Sequence, residues 1–253
     1  MGIDHLSVIE SSSARIVEIL RQEPLDARVP GCPEWDLADL GVHMVGVQRW
    51  SAHIVRLGEL GEDPEHVPPL RNEVADALQA SSAELMEALR AADPEAPCWN
   101  FSDAPQVQAF WFRRQANEVV VHAWDAESAV SDTPPPIERE VAADVVDEFV
   151  TMSIPRVIAR EGVDISGITG DVHIHCTDLQ DHEVSGVHAS GEWTFEIKDG
   201  TLVVVAEHRK SAVAIRGGAS DLALYLYGRT SADTVEIFGD PESLAQWAPL
   251  LAF

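Results

Sequence analysis

Glu118 and His122 stand four residues apart in an apolar run, separated by Val119, Val120 and Val121 and followed by Trp124. Residues four apart on a helix face the same way, one turn displaced. A carboxylate oxygen and an imidazole nitrogen so placed converge on a point about 2 Å from each, the bond length a zinc ion takes. Burying an unpaired carboxylate is costly, and a shared divalent cation offsets that cost. His43 lies three residues after Leu40 and four before Val47, at the border of another apolar stripe, which directs it toward the same interior. His43, Glu118 and His122 make a three-ligand set with one position open. Three protein ligands plus an exchangeable fourth is the catalytic pattern, whereas a structural zinc is closed by four. An exposed salt bridge is the other reading of a Glu-x-x-x-His pair. Asp39, one turn before His43, and Asp125, three residues after His122, are candidate acceptors for the free ring N–H groups. A carboxylate in that role fixes the tautomer and orients the ring. Arg114, one turn before Glu118, is placed to balance charge.

These residues need a scaffold, and the apolar periodicity predicts four helices. Leu6, Ile9, Ile16 and Leu20 mark the first. Leu37, Leu40, Met44, Val47, Ile54 and Leu57 mark the second, which opens at Pro33-Glu34-Trp35-Asp36 with Asp36 as N-cap. Val74, Leu78, Leu85 and Leu89 mark a third from about 73 to 89, and a fourth runs from about 105 to 130. Four amphipathic helices joined by loops read as a bundle, and bundle interiors are where metal sites are built from facing helices. The loops 22–35 and 92–105 are long, as loops lining a site often are.

The texture changes at Ser131-Asp132-Thr133-Pro134-Pro135-Pro136, a stiff linker. The expected domains are therefore 1–132 and 137–253. After a fifth helix at about 138–160, period-two segments follow at 172–176, 193–197, 202–207 and 212–215. Asp199-Gly200 is a hairpin signal between the second and third. A helix at 219–226, a strand at 235–238 and a helix from Pro241 complete an α+β domain with a mainly antiparallel sheet. His173 and His175 share one strand face, read as solvated, with metal binding as the alternative. His53, His66, His182, His188 and His208 suggest no site.

The 253 residues carry 17 basic and 43 acidic side chains, a net charge of −26. Such a surface repels phosphate backbones, which argues against nucleic acid as a partner. No apolar run reaches the length of a membrane span, and Met1–Glu10 lacks the layout of a signal peptide. The expectation is a cytoplasmic protein. Cys32, Cys98 and Cys176 are odd in number and far apart, so they form no disulfide framework or zinc ribbon and read as small buried apolar residues.

The stretch Val29-Pro30-Gly31-Cys32-Pro33-Glu34-Trp35-Asp36-Leu37-Ala38-Asp39-Leu40-Gly41-Val42-His43 resembles a signature of the mycothiol-dependent maleylpyruvate isomerase family. The stretch Arg114-Gln115-Ala116-Asn117-Glu118-Val119-Val120-Val121-His122-Ala123-Trp124-Asp125-Ala126 is similar to its second signature, Arg…Glu-x-x-x-His-x-x-Asp. The run Ala214 to Arg229, with Ala219-Ser220-Asp221-Leu222 and Gly228-Arg229, resembles its C-terminal signature. The resemblance covers nearly the whole chain. It implies a DinB-like four-helix bundle whose zinc ligands correspond to His43, Glu118 and His122, followed by a sterol-carrier-like domain.

The resemblance further implies a zinc ion, or another divalent metal, that activates mycothiol as cosubstrate. A free thiol with a pKa near about 8.5 is mostly protonated at neutral pH, and metal ligation deprotonates it. The thiolate then attacks an electrophilic small molecule. The outcome is isomerisation, as of maleylpyruvate to fumarylpyruvate, or a stable S-conjugate. Arg114, Arg216 and Arg229 are candidate clamps for a substrate carboxylate, since a guanidinium binds one through two parallel hydrogen bonds. A salt bridge or a helix C-cap is the alternative role of each. Two other functions fit the same residues: a lipid-binding or metal-sensing protein without catalysis, and a hydrolase in which metal-bound hydroxide replaces the thiolate. The expected assembly is a monomer or homodimer.

Overall fold

The computed structural model of the chain describes residues 2–62, 67–179, 191–205 and 209–251. His66, His182, His188, His208 and the end of the expected strand 202–207 lie outside the described residues. The chain divides into two compact units, one of Asp4–Pro135 and one of Met1–Ile3 with Pro136–Phe253. No helix among the described residues is long and apolar enough to cross a membrane.

The first unit is a four-helix bundle of α1 (His5–Gln22), α2 (Leu37–Leu57), α3 (Val74–Ala91) and α4 (Ala109–Ser128). The apolar stripes read from the sequence supply much of its core: Ile9, Ile16, Leu37, Leu40, Met44, Leu78 and Leu85 are fully buried, as is Trp111, which lay outside them, whereas Leu57 at the end of the second stripe is 50 % exposed. α4 begins at Ala109 rather than near Pro105, because the preceding loop is held as its own structure. Cys98 N–H donates to the Gln106 carbonyl and Gln108 N–H to the Ala96 carbonyl. A buried amide, Gln48, ties three helices together. Its Nε2 donates to Ser13 Oγ at 2.9 Å, and Ser81 Oγ donates to its Oε1 at 2.9 Å. Both ends of the amide are thus satisfied, as a buried polar group requires.

The start of α2 positions His43, and three devices fix it. Asp36 and Asp39 form a reciprocal capping box, each carboxylate accepting from the other's backbone N–H at 3.1 Å. Arg71 pairs with Asp36 at 2.9 Å. Gly41 lets α3 approach closely, since a Cβ there would stand 2.6 Å from Val74 Cγ2.

The second unit follows the α+β reading. α5 (Arg139–Glu148) and α6 (Ile154–Glu161) are joined by a π-helical turn at Phe149–Ser153, so the single helix expected at 138–160 is interrupted. Pro155, which cannot donate a backbone hydrogen bond, follows that wide turn. The sheet contains β1 (Asp171–Cys176), β2 (Glu192–Lys198), β3 (Thr201–Val205), β4 (Val213–Gly217) and β5 (Glu236–Gly239), in the order β3-β2-β1-β4-β5. Every pair is antiparallel except β1 with β4. The β2–β3 hairpin turns at Asp199-Gly200, both with positive φ (52° and 75°), the pair a type I′ turn needs. α7 (Ala219–Leu226) and α8 (Pro241–Leu251) complete the unit. One face of the sheet, with Val172, Ile174, Trp193, Phe195 and Ile215, is buried. Trp193 Nε1 donates to Asp147 Oδ1 at 2.8 Å, which ties that face to α5.

Candidate metal centre

His43 comes from the second turn of α2, and Glu118 and His122 from successive turns of α4. The two helices bring the three side chains together. Glu118 Oε1 lies 3.2 Å from His43 Nε2 and 3.4 Å from His122 Nε2. One ligating atom from each residue lies within 4.8 Å of the others, and no other group of three such residues does so among the described residues. The side chains are 30 %, 18 % and 9 % exposed for His43, Glu118 and His122, so the cluster is recessed and reachable from the His43 side.

The surroundings prepare these atoms for a cation. His122 Nδ1 lies 2.9 Å from Oδ2 of the fully buried Asp125, so the carboxylate accepts from Nδ1–H, and the neutral ring so held keeps its lone pair on Nε2. That lone pair faces a Glu118 oxygen at 3.4 Å. Two acceptors so placed repel unless a proton or a cation lies between them. Arg114 takes the other Glu118 oxygen, Oε2, from one turn earlier on α4. Burial pushes the His43 imidazole down to about 4; a proton taken up by His122 would act in the same direction, the Arg114 charge does so too, and Asp125 opposes them. The ring is therefore neutral at neutral pH, the form that ligates a metal. Two imidazole nitrogens and one carboxylate oxygen are a donor set zinc accepts.

The remaining candidate residues fall differently. Asp125 occupies the place expected of it beside His122. Asp39 does not orient His43: its carboxylate serves the capping box and lies 3.8 Å from Arg71. Capping wins because the N-terminal backbone N–H groups of α2 would otherwise be unsatisfied. Arg114 is engaged with Glu118. Arg216 lies on β4 in register with His175 and Glu236. Arg229 follows α7 and donates to the Tyr227 carbonyl at 2.7 Å, the C-cap role left open by the sequence. The His173 and His175 face is not solvated, since His173 is 5 % and Glu192 9 % exposed. Cys98 and Cys176 are buried as expected, but Cys32 is half-buried with Sγ 3.9 Å from Asp125 Oδ2. A groove of about 920 Å³ between α1 and α3 has none of the three clustered residues in its wall.

Sequence reasoning assigned no role to Trp35. Its ring centroid lies 4.8 Å from that of His43 and 6.0 Å from that of His122. An aromatic residue just before an N-cap reads as a hydrophobic staple, which conceals a contact with side chains far along the chain.

The comparisons with known proteins agree with this architecture. No curated protein matches the chain in sequence. Two solved structures, a mycothiol-dependent maleylpyruvate isomerase and a histidine-to-alanine variant of it, superpose with TM-scores of 0.58 and 0.55. Each is 15 % identical and covers 92 % of this chain and 91 % of its own, a likeness of fold. In sequence, residues 6–127 match the family described as mycothiol maleylpyruvate isomerase N-terminal domain, and residues 140–246 match the MDMPI C-terminal domain. With both halves matched in order, the chain belongs to the mycothiol-dependent maleylpyruvate isomerase family.

Proposed function

We propose that the protein is a metal-dependent enzyme that activates a low-molecular-weight thiol, mycothiol, for attack on a small electrophile. The convergence of His43 Nε2, Glu118 Oε1 and His122 Nε2 carries this reading, and family membership supports it. His43, Glu118 and His122 would hold the ion, zinc or another divalent metal. A divalent cation there supplies Lewis acidity, keeping a thiol deprotonated at neutral pH.

The protein's own residues do the rest. Asp125 holds the His122 proton on Nδ1 and leaves Nε2 as donor. Arg114 occupies Glu118 Oε2, so the carboxylate presents only Oε1 to the centre. Glu118 would thus hold an ion through one oxygen, beside His43 and His122, and the ion would supply the activation of the thiol. In the isomerase outcome, the thiolate adds to one carbon of the cis double bond, and the electron pair moves onto the conjugated carbonyl. Rotation about the resulting single bond and expulsion of the thiolate give the trans isomer, with no net change in atoms or electrons. In the transferase outcome, the adduct takes up a proton and the S-conjugate leaves.

The test is turnover by zinc-loaded protein given mycothiol and maleylpyruvate, followed by chromatography. Fumarylpyruvate formation that requires both thiol and metal is the expected result. An S-conjugate from a neutral electrophile in its place assigns the transferase outcome. Hydrolysis that proceeds equally without thiol overturns the proposal in favour of the hydrolase.

A further inference from the structure

Each metal-ligand candidate on α4 is held from behind by a partner on the same helix. Arg114 takes the second oxygen of Glu118, and Asp125 takes the second nitrogen of His122. His43 has no such partner. Among the described residues its one hydrogen-bonded contact is Glu118 itself, through Nε2. The carboxylate expected to hold it, Asp39, is committed to the capping box. An imidazole on a single helix turns about two side-chain bonds, and a loosely held ligand forfeits much of its metal affinity.

Trp35 supplies the missing restraint. Its indole lies 4.8 Å from the His43 ring at 41° and 6.0 Å from the His122 ring at 30°, and the two imidazoles are 4.9 Å apart, edge to face. The three rings pack as one unit. The turn bearing Trp35 is itself fixed. Trp35 N–H donates to the Cys32 carbonyl at 2.8 Å, and Val29 N–H donates to the Trp35 carbonyl at 3.1 Å. Arg28 and Asp36 form a β-bridge. An indole face also favours an electron-poor neighbour, and an imidazole becomes electron-poor when it ligates a cation.

Resting on the metal reading above, we infer that Trp35 is a positioning residue of the metal centre, setting the His43 ring plane as Asp125 sets that of His122.

The test is zinc affinity, measured by competition with a chromophoric chelator, for wild type, Trp35→Phe, Trp35→Leu and Trp35→Met. All three variants keep an apolar residue before the N-cap, and only phenylalanine keeps a ring face. Removing an outer partner of a metal ligand typically costs roughly 10–100-fold in affinity. Trp35→Leu and Trp35→Met should bind zinc about 10-fold more weakly than Trp35→Phe or worse, while the thermal midpoints of the three metal-free variants agree. Equal zinc affinity in all three overturns the inference and leaves the metal reading intact. Failure of both aliphatic variants to fold while Trp35→Phe folds assigns the ring to the scaffold and also overturns it. Wild-type protein that takes up no zinc removes the metal reading, and this inference with it.

Discussion

Among the described residues, two clusters set two histidines against one glutamate, and only one brings three donor atoms close enough to share an ion. In the bundle, a single oxygen, Glu118 Oε1, faces both imidazoles at 3.2 and 3.4 Å. In the sheet, Glu192 gives each histidine its own oxygen: Oε2 lies 3.6 Å from His173 Nε2 and Oε1 lies 3.4 Å from His175 Nε2. The ring centroids are 4.9 Å apart in the first cluster and 6.0 Å in the second. The difference follows from the elements. Residues two apart on a strand project side by side, so His173 and His175 stack with their nitrogens parallel and unfocused. Two facing helices aim side chains at each other across a gap, and three donors meet at a point. Residue types alone do not make a site; the direction in which the backbone projects them does.

The largest expected effects break the focused cluster. Glu118→Gln or His122→Ala removes a ligand, and zinc affinity by chelator competition should fall by at least about 100-fold, the upper end of what losing a mere outer partner costs. Wild-type affinity in either variant would dissolve the distinction between the two clusters. Asp125→Asn keeps the shape but replaces the acceptor that holds the proton on His122 Nδ1. Its expected loss is roughly 10–100-fold, and calorimetric zinc titration reads it.

A smaller effect concerns the metal-free protein. The His43 pKa is depressed to about 4 in the fold, from an ordinary value of 6.5. Above 6.5 the ring is neutral whether the chain is folded or not, so it adds no pH dependence there. Between 6.5 and 4 the unfolded chain takes up a proton that the folded chain refuses, and stability falls as the pH falls. Below 4 that loss is complete. The ring is 30 % exposed, so solvent screening limits the loss to at most about 2 kcal/mol. Urea denaturation of metal-free wild type and His43→Gln at pH 7.5 and pH 4.5 should show a steeper decline for wild type. Parallel declines would place the ring in a more hydrated setting.

The helices, the hairpin at Asp199-Gly200 and the pairing of Glu118 with His122 were legible because each follows from local periodicity: 3.6 residues for the bundle stripes, two for the strands, four for Glu118 and His122. Asp125 was legible for the same reason. What needed coordinates was every competition between partners. Asp39 has the spacing to hold His43, yet the helix start claims it. The strand alternation of His173 and His175 reads as a solvated face, but pairing with β2 places Glu192 and the fully buried Thr194 beside them. The π-helical turn before Ile154 carries no signal beyond a proline one residue later. Trp35 is the clearest case: its ring meets side chains 8 and 87 positions away, and neither separation has a period.

The smallest expected effect lies in the sheet. His175 is 26 % exposed in its side chain and meets Glu192 at 3.4 Å. A partly exposed pair of this kind contributes about 0–1 kcal/mol, so His175→Ala should shift the urea midpoint only slightly. Glu192 keeps a second imidazole within reach in His173, which limits the cost of removing the first. If strand geometry keeps this cluster unfocused, wild type and His175→Ala should both take up the one zinc per chain expected of the bundle cluster. Wild-type protein that takes up two equivalents, with one lost in His175→Ala, would show that side chains on a single strand can turn inward enough to share an ion. Focus would then be a property of the rotamers rather than of the elements that carry them.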